Sequence, residues 1–284
     1  MDSDLLNLGF NLKEQKHVKV NLGMAGHSGA GKTYSVCNSF PNVVVADMDN
    51  GLSAFQGKDI ISFPFYNSDW CQEQGAKKLK GNIDGLPIAC TNRRDLFKKF
   101  VDEKFSQLDS SYTLFIDSWS KVQEFFDEAT NCQPAMGSNG KVDTFSFWRR
   151  KITYSEQVMS ALMSLKCSVV VAFHMYKETD EYGRETGKYF PLMQGKFKSK
   201  VQSYFDNFFV QHCITQTDAK GEDRREKKDK KGRLLFPQTE LLSEELNYLW
   251  QVRNSVDVDS KCALPGVEGP FVPATYKSIE KAFS

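Results

Sequence analysis

The sequence predicts an α/β protein whose core is a mostly parallel sheet flanked by helices, with antiparallel strands at one edge. Three observations predict it. Between residues 17 and 40 a strand pattern runs straight into a glycine-rich loop and then a helix. The apolar runs at 42–47, 112–117 and 167–175 have the texture of strands buried on both faces. Helical periodicity separates these runs, so strand and helix alternate over the first 175 residues, with right-handed crossovers expected.

Taken in order, HVKVNLGM (17–24) alternates Val18, Val20 and Leu22 and reads as the first strand. KTYSVCNSF (32–40) reads as a short helix stopped by Pro41, and NVVVAD (42–47) as the second strand. Residues 60–92, with Pro64, Pro87 and several glycines, read as irregular, with one helix near 68–80. The stretch 93–108 puts Leu96, Phe97, Phe100, Val101, Phe105 and Leu108 on one helical face. YTLFID (112–117) is a buried strand ending in an acid, and 118–131 is helical. Asp143 can cap a long helix over 144–166, with Phe147, Ile152, Met159 and Leu162 as buried candidates. CSVVVAFHM (167–175) is a further strand. Beyond it, 205–217, 233–238 and 246–252 look like neighbouring strands, plausibly antiparallel, and a short helix closes the chain near TYKSIEKAF. The expected organisation is an N-terminal arm (1–16), one domain (17–258) and a C-terminal tail with a short helix (259–284).

Composition narrows the function classes. Of 284 residues, 40% are hydrophobic and 26% charged, which gives material for a sizeable core, and the net charge of +1 advertises no global nucleic-acid field. Seven dispersed cysteines with no C-x-x-C pair argue against a disulfide framework or a zinc site and fit a reducing cytoplasm. No apolar run reaches the length of a signal peptide or a membrane span, so a cytoplasmic protein with no membrane partner is expected.

The chemistry is concentrated in GHSGAGKTYS (26–35), which satisfies G-x-x-x-x-G-K-[ST]. Gly26, His27, Ser28, Gly29, Ala30, Gly31, Lys32, Thr33 and Tyr34 are the expected nucleotide-binding residues. Glycines let backbone N–H groups turn inward as an anion nest at a helix N-terminus. Lys32 would meet the β- and γ-phosphates, and the Thr33 hydroxyl would ligate Mg²⁺. ATP and Mg²⁺ are therefore the expected cofactors. Asp117, at the end of a buried strand, is the metal-side acid, acting through water, or else a helix N-cap. Asp47 and Asp49 lie two apart and are expected to line the crevice together, with Asp49 as the base toward water, or else as an Asx turn ahead of Gly51. His174 reads either as a structural histidine or as a γ-phosphate sensor that passes its state to the segment after it.

The set GHSGAGKT, VVVADMDNGL, TLFIDSWSKV and SVVVAFHMYK resembles the RecA-like P-loop ATPase core, over roughly 17–215 and out to 253 through YLWQVRN. It is similar to short phage RecA-like proteins of AAA type, some of which are single-strand annealing recombinases of the Sak type. The resemblance implies ATP hydrolysis, an acid after the second strand that activates water, a γ-phosphate sensor where the family usually has Gln and this chain has His174, and a filament or ring of copies. It also implies a mobile DNA-binding loop in the place of 177–200. The chain departs from the family in lacking a separate DNA-binding domain and a Phe-x-x-Ala segment, for which LLNLGF (5–10) is an apolar substitute.

Single-stranded DNA is accordingly the expected partner. Lys188, Lys196, Lys198 and Lys200 interleave with Tyr189, Phe190 and Phe197, a pattern suited to phosphates and stacked bases, or to a solvated loop with an aromatic anchor in the core. The basic run 220–233 reads as a solvated hairpin tip. Arg253 is placed to serve as a finger toward a neighbouring subunit. A nucleotide-gated loader or partner switch is the main alternative. A small-molecule kinase, which needs a lid with several arginines, fits less well, since 177–190 offers only Arg184.

Overall fold

The computed structural model describes residues 19–83, 86–134, 136–138, 142–179, 182, 184–193, 197–215, 246–255, 259–267 and 270–283. Within them run β1 (Asn21–Gly26), α1 (Lys32–Ser39), β2 (Val43–Asp47), β3 (Ile61–Pro64), α2 (Ser68–Glu73), β4 (Lys78–Ile83), β5 (Leu86–Thr91), α3 (Arg93–Glu103), β6 (Thr113–Asp117), α4 (Trp119–Cys132), α5 (Thr144–Met163), β7 (Ser168–Thr179), β8 (Glu185–Pro191), α6 (Phe197–Lys200), β9 (Asn207–Thr215), β10 (Leu246–Gln251), β11 (Phe271–Pro273) and α7 (Tyr276–Phe283). The arm 1–16, LLNLGF, the strand expected at 233–238 and the basic run 220–233 lie outside the described residues. Among the described residues no helix is long and apolar enough to cross a membrane.

The central sheet has the order β11-β10-β9-β1-β7-β6-β2-β3. From β9 to β3 neighbours are parallel, while β10 and β11 run antiparallel at one edge. The alternation of side chains across a strand explains why these runs are apolar throughout. Val169, Val171 and Phe173 enter one core with Phe97, Phe100 and Trp119 of α3 and α4. Val170 and Ala172 enter the other, with Phe40, Trp250 and Tyr276 near α1 and α7. Each such fully buried side chain contributes about 1.5–3 kcal/mol, so both faces must be covered for the sheet to be stable.

The expected helices form, and Asp143 caps α5 as expected. The Asn92 side chain accepts from the Asp95 N–H at the start of α3, and Asp143 accepts from the Ser146 N–H at the start of α5. Leu96, Phe97, Phe100, Val101 and Phe105 are buried as the periodicity required, as are Met159 and Leu162 of α5. Ser118, with no side-chain cap bond, precedes α4, so Asp117 is free of the capping role.

One region differs from expectation. Residues 60–92 are regular: β3 extends the parallel sheet, α2 is capped by Asn67, and β4–β5 form an antiparallel hairpin. The hairpin is held by docking on α4, where Leu79 packs with Ala129 and Cys132. At Gly81 a Cβ would come within 2.0 Å of the Cys132 carbonyl oxygen, so the two backbones touch there. Strand β9 is parallel to β1 in the register Leu22↔Asn207 and antiparallel to β10, as expected for the neighbouring strands 205–217 and 246–252; β11 is antiparallel to β10, and β8 to β7. The C-terminal stretch supplies β11 and a bridge from Lys261 to Phe208.

Candidate functional site

The sheet order places β7 between β1 and β6, and register brings the ends of the three strands to one edge. Gly26 lies level with His174, and Asp47 with Asp117. That edge is the carboxyl end of the parallel strands, where open α/β sheets bind ligands. A cleft of about 380 Å³ opens there, lined among others by Lys32, Thr33, Asp49, Asp117 and His174.

The loop's shape depends on its glycines at two places. Gly26 lies so close to β9 that a Cβ would come 2.9 Å from the Gln211 carbonyl oxygen. Gly31 begins α1 with φ 81, and the Tyr248 ring of β10 stands 2.2 Å from where its Cβ would be. Positive φ and a rigid ring act together here, so Gly31→Ala is expected to lose about 1–3 kcal/mol of stability in urea denaturation. An unchanged midpoint would contradict this account of the loop.

Lys32 is 6% exposed, and its Nζ donates to the carbonyls of Gly26 at 2.8 Å and His27 at 2.9 Å. Burial pushes its pKa down, against the pull of Asp117 and Asp49. The ammonium thus rests on the loop's own acceptors, ready to exchange them for phosphate oxygens.

The acids divide their labour differently from the two-apart pattern. Asp47 is buried and turned inward, where its Oδ1 accepts from the N–H groups of Asp49 at 3.1 Å and Gly51 at 3.3 Å. The strand ends at Asp47 and the chain bends at residues 48 and 49, so the extended geometry that would have aimed both acids alike does not reach Asp49. Asp47 therefore forms the turn, and Asp49 is released to face His174. His174 Nε2 lies 2.9 Å from Asp49 Oδ2. Burial raises the Asp49 pKa, but the His174 contact and the nearby Ser118 hydroxyl outweigh it and hold the carboxyl below its usual range. Asp49 Oδ1 is buried without a hydrogen bond of good geometry.

Thr33 Oγ1 donates to Asp117 Oδ2 at 2.6 Å. Burial first, then the charges of Asp49 and Asp47, push the Asp117 carboxyl up to about 6, against the Thr33 bond and Lys32. These groups fit a hard divalent cation, since a hydroxyl and a carboxylate lie side by side at the cleft. Among the described residues no cluster of three or more His, Cys, Asp or Glu is arranged to hold a metal. Such a site suits an ion that keeps waters and takes phosphate oxygens, as Mg²⁺ does.

One end of the cleft is aromatic, and the sequence reading found only part of it. Tyr34, 41% exposed, lies 6.3 Å from Phe55 and 5.2 Å from Tyr248, ring centre to ring centre. Phe55, Ala54 and Gly51 line the cleft from the loop after β2. An aromatic a few residues past the acid of that loop was the available signal.

The expected DNA contacts are scattered. Lys188 is exposed on β8, Phe190 is half-buried near Tyr176, and Tyr189 meets the loop's His27 edge-on at 4.9 Å. Burial, Lys32 and Lys177 lower the His27 pKa. Phe197 is fully buried between Trp119 and Tyr204, so it anchors the core and is not available to stack on bases. Lys200 pairs with Glu156 at 2.9 Å. Lys196 and the Lys198 side chain lie outside the described residues. Arg253 follows β10 as that strand runs away from the loop's edge, and it donates to the Val267 carbonyl at 2.8 Å.

A family model described as an AAA domain matches residues 19–234, well over half of the chain. No curated protein matches. Among solved structures, the chain is similar to a prototypical ATPase from the type III secretion system of pathogenic bacteria, with 10% identity and a TM-score of 0.36 over 68% of this chain and 52% of that one. The chain spans about half the length of that structure. With the family match joined to a phosphate loop set among Asp117, Asp49 and His174, the chain belongs to the AAA domain family as an AAA-type P-loop ATPase domain.

Proposed function

We propose that this domain is a Mg²⁺-dependent, RecA-like ATPase that binds single-stranded DNA in recombination or replication, as its phage Sak-type resemblance implies, and that it works as a filament or ring of copies. The observation that carries the proposal is the wiring of the β7–β8 hairpin to the nucleotide cleft. The His174 carbonyl accepts from the Leu192 N–H at 2.6 Å, and the His174 N–H donates to Ser120 Oγ at 3.1 Å. Ser120 Oγ in turn donates to the Leu192 carbonyl at 3.0 Å. With Tyr189 on His27, the hairpin touches both the loop and the residue beside the base, so a phosphate that moves either one moves the hairpin.

In this mechanism the loop N–H groups and Lys32 hold the phosphates, and the ring of Tyr34 or Phe55 receives the base. His174 holds the Asp49 carboxylate at the cleft by its Oδ2, and that carboxylate is the acceptor for the proton of the attacking water. Water attacks the γ-phosphorus as the bond to the bridging oxygen breaks, and its proton passes toward Asp49. Mg²⁺, held by Thr33 and water-bridged to Asp117, would neutralise charge on the phosphate oxygens.

The test is phosphate release by the purified chain with and without single-stranded DNA. Stimulation together with salt-sensitive DNA binding is expected. Equal rates and no DNA binding would leave a nucleotide-gated partner switch as the better account.

A pH effect follows from Asp117. Its pKa of about 6 means that a proton competes for the metal-side carboxylate, so Mg²⁺–nucleotide binding is expected to weaken as pH falls through that value. In the free protein the sign is opposite. A carboxyl raised from 3.8 stabilises the fold fully below pH 3.8 and loses that contribution as pH rises through about 6. Calorimetric titration above and below this pH checks the first effect, and pH-independent affinity would refute it.

A further inference from the structure

The serine that follows Asp117 stands at the start of a helix and does not cap it. Ser118 precedes α4 with extended backbone, the geometry in which a serine oxygen usually accepts from a helix N–H, yet it makes no such bond. Its side chain is fully buried, and Oγ has no hydrogen bond of good geometry among the described residues. The same holds for Asp49 Oδ1. The two groups are neighbours, since the Ser118 hydroxyl lies close enough to help hold the Asp49 carboxyl below its usual range. A buried donor and a buried acceptor thus lie side by side, and leaving either unpaired is costly. The hydroxyl hydrogen turns freely about its C–O bond and can meet the carboxylate.

The backbone around Ser118 is firmly seated. Trp119 is fully buried, with its ring centre 6.1 Å from that of Phe197. Ser120 Oγ is fixed between the His174 N–H and the Leu192 carbonyl. The first turn of α4 therefore meets both members of the Asp49–His174 pair.

We propose that Ser118 is a positioning residue for ATP hydrolysis: its hydroxyl donates to Asp49 Oδ1 while His174 engages Oδ2, so that the carboxylate is gripped by both oxygens. The terminal torsion of an aspartate is soft, and a contact at one oxygen leaves the other free to swing. Two contacts fix the plane of the carboxylate toward the cleft. Each oxygen keeps a further lone pair, so the acid still accepts the proton of water. The inference rests on the reading of Asp49 as the base.

The experiment is steady-state phosphate release by the full chain with ATP and Mg²⁺, with thermal unfolding of the same samples. Ser118→Ala is expected to lower kcat at least about tenfold, while KM for ATP stays within about twofold and the unfolding midpoint moves by no more than a few degrees. Ser118→Thr keeps the hydroxyl and should restore most of the rate. In an Asp49→Ala background, Ser118→Ala should cost nothing further. Where Ser118→Ala does not fold, Ser118→Cys keeps the shape with only a weak donor and should show the same loss. A folded Ser118→Ala or Ser118→Cys chain that turns over like the wild type, while Asp49→Asn loses turnover, overturns the proposal. So does an equal loss in the Asp49→Ala background, or a rise in KM with kcat unchanged, since either makes the hydroxyl a structural or binding group. If Asp49→Asn itself turns over like the wild type, the reading of Asp49 as the base fails, and this one with it.

Discussion

Lys32→Ala is expected to reduce ATP turnover by about a hundredfold to a thousandfold, the scale on which a single preorganised electrostatic contact to a reacting group acts. The ammonium is buried against two loop carbonyls, and no other described lysine lines the cleft to replace it. The same substitution should leave the free fold nearly untouched. Burial has lowered this amine's pKa, so its charge is unfavourable to the free protein at neutral pH, and removing it should shift Tm by no more than a few degrees. Phosphate-release kinetics and calorimetry on the same sample test both halves. Turnover within about tenfold of wild type would remove Lys32 from the chemistry.

The second large effect is expected at Asp49. Asp49→Asn keeps the side chain's shape and its contact with His174 but removes the charge that draws the proton of water. Turnover should fall about 10²- to 10⁴-fold, the usual range for a lost general base, with nucleotide affinity changed little. Because Asp49 and His174 share one hydrogen bond, the double variant with His174→Ala should be barely worse than Asp49→Asn alone. Strictly additive losses would mean that the two side chains act separately, and His174 would then not be the positioning partner of Asp49.

What was legible in the sequence was local. The phosphate loop, the buried strands ending at Asp117 and His174, and the cap at Asp143 each announce themselves within a few residues. The β4–β5 hairpin was passed over although Lys78, Lys80 and Asn82 alternate with Leu79 and Ile83 and Asp84-Gly85 is a turn pair, because Gly81 and Pro87 weaken both strands taken alone. Its order comes from contact with α4, far along the chain. The antiparallel pairing of β9 with β10 was expected, but its parallel pairing with β1 was not encoded locally, since an apolar strand reads the same whether its neighbour runs with it or against it. Within the site, Asp47 and Asp49 were distinguishable only because the strand ends at Asp47 and the chain bends before Asp49, which no periodicity encodes. Phe197 makes the complementary point: interleaved lysines and aromatics describe composition, and the core claimed the aromatic.

The contact between Tyr248 and Gly31 bears on the order in which the molecule is made. Every motif residue of the cleft precedes residue 175, yet the ring that packs on the loop belongs to β10 (Leu246–Gln251). A nascent chain carrying the whole phosphate-loop signature would still lack that support. Nucleotide binding is thus expected to be acquired only once β10 has left the ribosome, after the sheet has already begun to form.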